Sequence, residues 1–250
     1  MIETIYIIIL IYFLLGGIGF YVINRKKESC IARNSYIKLA AYFVIINILF
    51  FSIVVEPLVF RILSVVIIAA GIKELSVLAL NKPELKRFFF LSLVIFIILS
   101  CGFYMFSGLP KGLILFSFIV LSIFDSFSQI AGQLFGKTKI TPRISPNKTL
   151  EGAIGGSILA LASVIWLHRL FTTSMIYGIL MSLGVIIFAF IGDIMASYYK
   201  RKFNVKDFNN LIPGHGGFLD RFDSLVAGGA WVAFYVNCEM IFKEVIILNS

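Results

Sequence analysis

Eight apolar runs follow one another along the chain, at 4–23, 36–55, 58–80, 88–106, 112–131, 152–170, 174–196 and 224–242, with short polar breaks between them. Each is close to the length that carries a helix across a bilayer, about 20 residues. The pattern predicts an all-α, polytopic integral membrane protein of about eight transmembrane helices joined by short loops. Lys73 and Glu74 interrupt the third run, where they could pair or sit near the membrane surface. The first run has no basic segment before it, is too long for a signal-peptide core and precedes no small-residue cleavage site. A retained helix is therefore expected.

Composition agrees with this reading: 60% of residues are hydrophobic and the mean hydropathy is +0.99, outside the soluble globular class. A net charge of +9 would suggest nucleic acid in a soluble chain. Here, lysine and arginine gathered in cytoplasmic loops explain it better, and no nucleic-acid partner is expected. Loops 24–34, 81–87, 132–149 and 200–223, all on one side of an eight-helix chain, hold 16 Lys and Arg. The other side holds only Arg61, Lys111, Arg169 and Lys243. Lys38 and Lys73 lie inside runs near the basic side. The expectation is that both termini lie outside the cytoplasm and the four basic loops within it. Cys30, Cys101 and Cys238 lack metal-site or disulfide spacing and read as small hydrophobes.

The two halves of the chain differ. Residues 1–110 contain no aspartate, and their charged pieces around Arg25 and Lys82 read as solvated loops at the lipid headgroups. This half is expected to be a helical scaffold, offering a surface to lipid chains or to another subunit such as a second copy in a homodimer. Residues 111–250 hold all five aspartates and both histidines and are expected to be the catalytic region. Asp125 and Asp193 each fall some seven residues before a basic loop, about 10 Å below the membrane surface at 1.5 Å per residue. An ionisable group at that depth costs on the order of 3 kcal/mol and needs a partner, a cavity or an ion.

Loop 132–149 has turn residues and four bases but no strand-like alternation. Ser145 and Pro146 are suited to cap and start the next helix, which would set free first-turn amides beside Lys148 and Thr149, an arrangement that attracts phosphate. Gly152 and Gly156, four apart, allow close approach of another helix. The stretch Ser197 to Asp223 concentrates charge: Lys200, Arg201, Lys202, Lys206 and Arg221 with Asp207, Asp220, Asp223 and His215. Asp193, Ser197 and Lys200 at i, i+4 and i+7 share one helix face. Pro213 to Gly217 is too glycine-rich for helix and suited to bringing backbone amides close to an anion. Asp220 and Asp223, at i and i+3, lie close to Asp193. Such carboxylates suit Mg²⁺, which is commonly held by one or two of them together with substrate phosphates.

The stretch SYYKRKFNVKDFNNLIPGHGGFLDRFD closely resembles the signature of phosphatidate cytidylyltransferases, and SPNKTLEG, Ser145 to Gly152, resembles a second motif of that family. The resemblance covers roughly residues 120–230. It implies transfer of CMP from CTP to phosphatidic acid in a bacterial cytoplasmic membrane, with the active site on the cytoplasmic side. Mg²⁺ is implied as the cofactor, with a second, monovalent cation left open. By the matched positions, Asp193, Asp220 and Asp223 are implied as metal ligands. Lys148, Lys200, Arg201, Lys206, Asp207, His215, Asp220 and Asp223 are implied as catalytic. Ser145, Lys148, Thr149, Ser197, Gly216, Gly217, Arg221 and Asp125 are implied to bind substrate.

The chain departs from the family pattern at Asn209, where a small residue is usual, and at Ser128 and Gln129, where alanine and tyrosine are usual. That departure motivates one alternative, a CTP-using membrane enzyme acting on an isoprenoid phosphate or alcohol. A second is an ion-coupled transporter using Asp125 and Asp193, although the unequal halves show no internal repeat. Enzymes that consume CDP-lipids carry an Asp-x-x-Asp-Gly-x-x-Ala-Arg run, which is missing here.

Overall fold

The computed structural model of the chain describes residues 2–25, 29–171, 174–209, 211–212 and 216–248. Among these, eight α-helices correspond one to one with the eight apolar runs: α1 (Ile2–Asn24), α2 (Ser29–Val54), α3 (Pro57–Leu80), α4 (Lys86–Phe106), α5 (Lys111–Phe135), α6 (Leu150–Leu167), α7 (Met175–Lys202) and α8 (Leu219–Leu248). Local sequence sets several of the starts. Pro57, with its fixed φ, opens α3. Thr149 and Ser174 cap α6 and α7 by accepting the backbone N–H of Gly152 and Tyr177.

Six helical spans are long and apolar enough to cross a membrane, from Tyr36–Val54 through Met175–Lys202. Their outward faces expose Ile62, Val65, Ile98, Ile158 and Ile187. Such a surface suits lipid rather than water, and the fold is that of a polytopic membrane protein. Inside, Phe60, Phe103 and Phe106 meet ring to ring and are fully buried. The last helix, α8, is central and packs on α7, α4, α5 and α3. Helices α5 and α6 come closest together where Gly152 and Gly156 face α5. A Cβ on Gly152 would lie 2.6 Å from the Ser128 carbonyl oxygen, and one on Gly156 would lie 2.8 Å from the Phe124 carbonyl oxygen. The close approach expected of this glycine pair is thus present.

Two expectations need correction. Residues 139–149 form an antiparallel hairpin of β1 (Lys139–Thr141) and β2 (Ser145–Thr149), with Lys139 opposite Thr149 and Thr141 opposite Ser145. Ser145 and Pro146 accordingly lie in a strand and do not start α6. Thr149 takes the capping role and Leu150 is the first helical residue. The physical reason is that the backbone of 139–149 is satisfied by strand pairing, which composition alone does not announce. The second correction concerns the end of α7, which continues to Lys202 and so carries Arg201 and Lys202 on the helix rather than in a loop, together with Lys200, which spacing had placed on its Asp193 face.

Candidate active site

One end of the bundle gathers the C-terminal part of α3, the starts of α4 and α8, the C-terminal turns of α7 and the hairpin. The Tyr199 hydroxyl donates to the Leu75 carbonyl at 2.8 Å and joins α7 to α3. Phe88 of α4 stacks on the same tyrosine. Arg201 donates through Nε to the Ile144 carbonyl and through a terminal nitrogen to the Val205 carbonyl, both at 3.0 Å. Its guanidinium therefore braces the hairpin and the turn after α7.

The segment SPNKTLEG divides its labour. Thr149 caps α6, Gly152 admits α5, and the Glu151 carboxylate accepts the backbone N–H groups of Lys137 and Thr138 at 3.0–3.1 Å. Those three fix the hairpin on the bundle and leave Lys148 to project inward. Its ammonium lies 2.7 Å from Asp193 Oδ2, an ion pair without the alignment of a directed hydrogen bond, and 4.6 Å from the centre of the Phe190 ring. Ser197 donates to Asp193 Oδ1 at 3.4 Å. Residues from two distant segments thus converge on one carboxylate; Ser197 does so as its helix spacing led one to expect, while Lys200, the third residue of that face, pairs with Asp220. Asp125, on α5, stands within electrostatic reach of Asp193, Lys148 and Arg221, and Asp223 within reach of Asp193, Lys200 and Arg221.

A second acid–base pair lies deeper. Lys200 Nζ is 2.5 Å from Asp220 Oδ1, and Asp220 Oδ2 accepts the backbone N–H groups of Phe208 at 2.9 Å and Gly217 at 2.8 Å. Both oxygens of Asp220 are therefore engaged, and its side chain is only 1% exposed. Gly216 adopts φ +86, a left-handed conformation that favours glycine, and a Cβ there would come within 2.9 Å of Asp220 Oδ2. The glycine pair lets the chain close tightly over this carboxylate. The Gly217 amide, expected to face an anion, is used within the protein to hold Asp220.

Glu74 is the site residue that sequence reasoning missed. Buried in α3, it accepts the backbone N–H groups of Phe218 and Leu219, each at 2.8 Å, and so holds the start of α8. A carboxylate suits the unpaired amides and positive dipole end of a helix start. The signal was an acid inside an apolar run, which demands a partner. Among the remaining candidates, Lys206, Asp207 and Arg221 are exposed, and Ser145 is half-buried in β2. His215 lies outside the described residues.

With this geometry in place, the comparison with known proteins is specific. Residues 111–239, just over half of the 250, match the sequence model of the cytidylyltransferase family. The chain belongs to the cytidylyltransferase family. It is 39% identical over 131 residues to the phosphatidate cytidylyltransferase of Haemophilus influenzae, covering 49% of this chain and 45% of that protein. The figures are 38% over 133 residues for the protein of the same name in Rickettsia bellii, covering 50% and 57%, and 42% over 115 residues for that in Bacillus subtilis, covering 45% and 43%. The chain thus matches about half the length of these relatives.

As a cytidylyltransferase-family chain, the protein can be tested for its fit to a divalent cation. No three His, Cys, Asp or Glu side chains among the described residues are grouped to hold a metal by themselves. For Asp220 to act as a ligand, Lys200 would have to release Oδ1. Asp193 and Asp223 remain, two neighbouring carboxylates in mutual electrostatic reach. That donor set fits a cation completed by substrate phosphates. The departures from the family pattern also find a place: the Ser128 hydroxyl donates to the Asp125 carbonyl of its own helix and its backbone faces Gly156, while Gln129 is exposed.

Proposed function

We propose that the protein transfers CMP from CTP to the phosphate of phosphatidic acid, giving CDP-diacylglycerol and pyrophosphate, on the cytoplasmic face of a bacterial membrane. The observation that carries this reading is the Lys148–Asp193 ion pair. It joins the Ser145–Gly152 motif to Asp193, four residues before the second motif and nine residues before the end of the membrane-spanning α7, with Asp125, Asp223, Lys200 and Arg221 around it. Both substrates are polyanions, one dissolved and one anchored in the bilayer, so they meet only where cations and carboxylates sit just beneath the membrane surface. The excess of Lys and Arg on this side supports a cytoplasmic orientation.

In the proposed step an oxygen of the lipid phosphate attacks the α-phosphorus of CTP. A new phosphorus–oxygen bond forms, the bond to the α–β bridging oxygen breaks, and pyrophosphate leaves with that electron pair. No covalent intermediate on the protein is required. Positioning and charge neutralisation supply most of the catalysis in such a transfer. Lys148 would neutralise a phosphate when it is released from Asp193, Ser197 would keep Asp193 oriented, and the exposed Arg221 and Lys206 would receive the triphosphate. Asp193 and Asp223 would hold Mg²⁺, which when bound neutralises charge on the reacting phosphates. Helices α5 to α8 are the reacting half under this reading, and α1 to α4 support it.

The test is purified protein in nanodiscs with labelled CTP and a panel of phosphatidic acid, isoprenoid phosphates and isoprenoid alcohols. Pyrophosphate release that depends on phosphatidic acid, with labelled CDP-diacylglycerol as the product, is expected. Turnover only on an isoprenoid acceptor, or none on any lipid, would overturn the reading.

A further inference from the structure

A cavity of about 400 Å³ lies between α4, α7 and α8. Phe88, Ser92, Ile95 and Leu99 of α4 form one wall, with Met195 of α7 and Val226 of α8 facing them. The lining is apolar almost throughout, and Asp223 is the only charged residue in it among the described residues. Phe88 to Leu99 spans about 16 Å at 1.5 Å per residue, roughly half the hydrocarbon thickness of a bilayer. The cavity is therefore a cleft running along α4 into the membrane interior, apolar apart from Ser92 and from Asp223, which lines it between Leu219 and Val226 of α8.

We propose that this cleft takes one acyl chain of the lipid phosphate substrate, with the head group beside Asp223. The proposal rests on the CMP-transfer reading and adds where the acceptor lies. Three observations select this occupant. The cleft is continuous with the site, because Gly192, next to Asp193 on α7, lines it together with Asp223 and packs against the Asp223 backbone. A nucleotide has no apolar part to fill the rest. The α4 side chains Phe88, Ser92, Ile95 and Leu99 follow the helix axis into the hydrocarbon region, a path that a flexible acyl chain can take. An amphiphile with a flexible chain meets both requirements. One wall of the cleft, α4, lies outside the matched residues 111–239. Chain preference would thus be set by the half of the protein that the family match does not cover.

The experiment fills the cleft and follows the lipid in two ways. Ser92→Trp, with Ile95→Trp as a second variant, is assayed in nanodiscs on dioleoyl and on dihexanoyl phosphatidic acid. The ratio of kcat/KM for the long-chain over the short-chain lipid is expected to fall at least tenfold in both variants. In parallel, phosphatidic acid carrying a photoactivatable diazirine in mid-chain is crosslinked to the wild type and to Ser92→Trp. Adducts on residues 88–99, lost in the variant, are expected. An unchanged chain-length ratio in correctly folded variants, or adducts spread evenly over all lipid-facing helices and insensitive to Ser92→Trp, would overturn the proposal. Adducts confined to the cleft without any turnover of phosphatidic acid would support lipid occupancy and instead overturn the transfer reaction.

Discussion

Two lysine–aspartate pairs stand side by side in this protein, and they are built differently. In Lys148–Asp193 the ions are 2.7 Å apart, the aspartate side chain is 36% exposed, and its one other partner among the described residues is a long contact from Ser197. In Lys200–Asp220 the aspartate is 1% exposed and also accepts two backbone N–H groups. The first carboxylate has room for another ligand; the second has none without breaking a bond. The site's acids and bases are therefore of two kinds, those that hold its shape and those that, under the proposed reaction, meet substrate. Glu74, Arg201 and Asp220 belong to the first kind, and Lys148 and Asp193 to the second.

The difference can be broken experimentally, and the largest effect is expected at the closed pair. Asp220→Asn leaves Lys200 buried without its counter-ion, which costs on the order of 3–5 kcal/mol. Thermal unfolding in detergent should show Tm lowered by many degrees, together with loss of turnover. An unchanged Tm would move Asp220 into the substrate-facing group. Lys148→Met keeps the alkyl stem and removes one charge-assisted contact, worth about 1.5–3 kcal/mol. The expectation is a loss of kcat/KM of roughly 10- to 150-fold with Tm unchanged. Equal kinetics would remove Lys148 from phosphate handling.

Glu74→Gln should act mainly on stability. The glutamine oxygen can serve one N–H group of the α8 start, and the amide nitrogen can serve none, leaving a buried donor unpaired at a cost of about 1–3 kcal/mol. A clear fall in Tm with only a severalfold loss of turnover is expected, whereas a large loss at constant Tm would assign Glu74 a direct part in the reaction. Ser128→Ala is expected to do least. Its hydroxyl bonds within its own helix, so stability should stay within about 0.5 kcal/mol and turnover should be nearly unchanged. A tenfold loss would place this hydroxyl against substrate.

Much of the architecture was legible because lipid is an undemanding code: eight apolar runs became eight helices, and Gly152 with Gly156 marked a close helix contact. The meeting of Asp193 with Ser197 followed from helical spacing, and the second motif supplied Lys148. Two features were hidden for different reasons. The strand Ser145–Thr149 has a sequence, Ser-Pro-Asn-Lys-Thr, with little β-propensity, and its pairing is set by the register with Lys139–Thr141 rather than by residue type. The partners of Glu74 lie 144 and 145 positions away, beyond any local pattern. Burial of Asp220 was likewise invisible, because a list of charged residues does not say which of them the backbone will enclose.

The central claim is that the open pair, not the closed one, meets the substrates. Asp193→Asn, purified in nanodiscs with CTP, Mg²⁺ and phosphatidic acid, tests it most directly when pyrophosphate release and Tm are measured on the same sample. The account predicts release reduced to background with Tm within a few degrees of the wild type. Release close to the wild-type rate from the folded variant would contradict it.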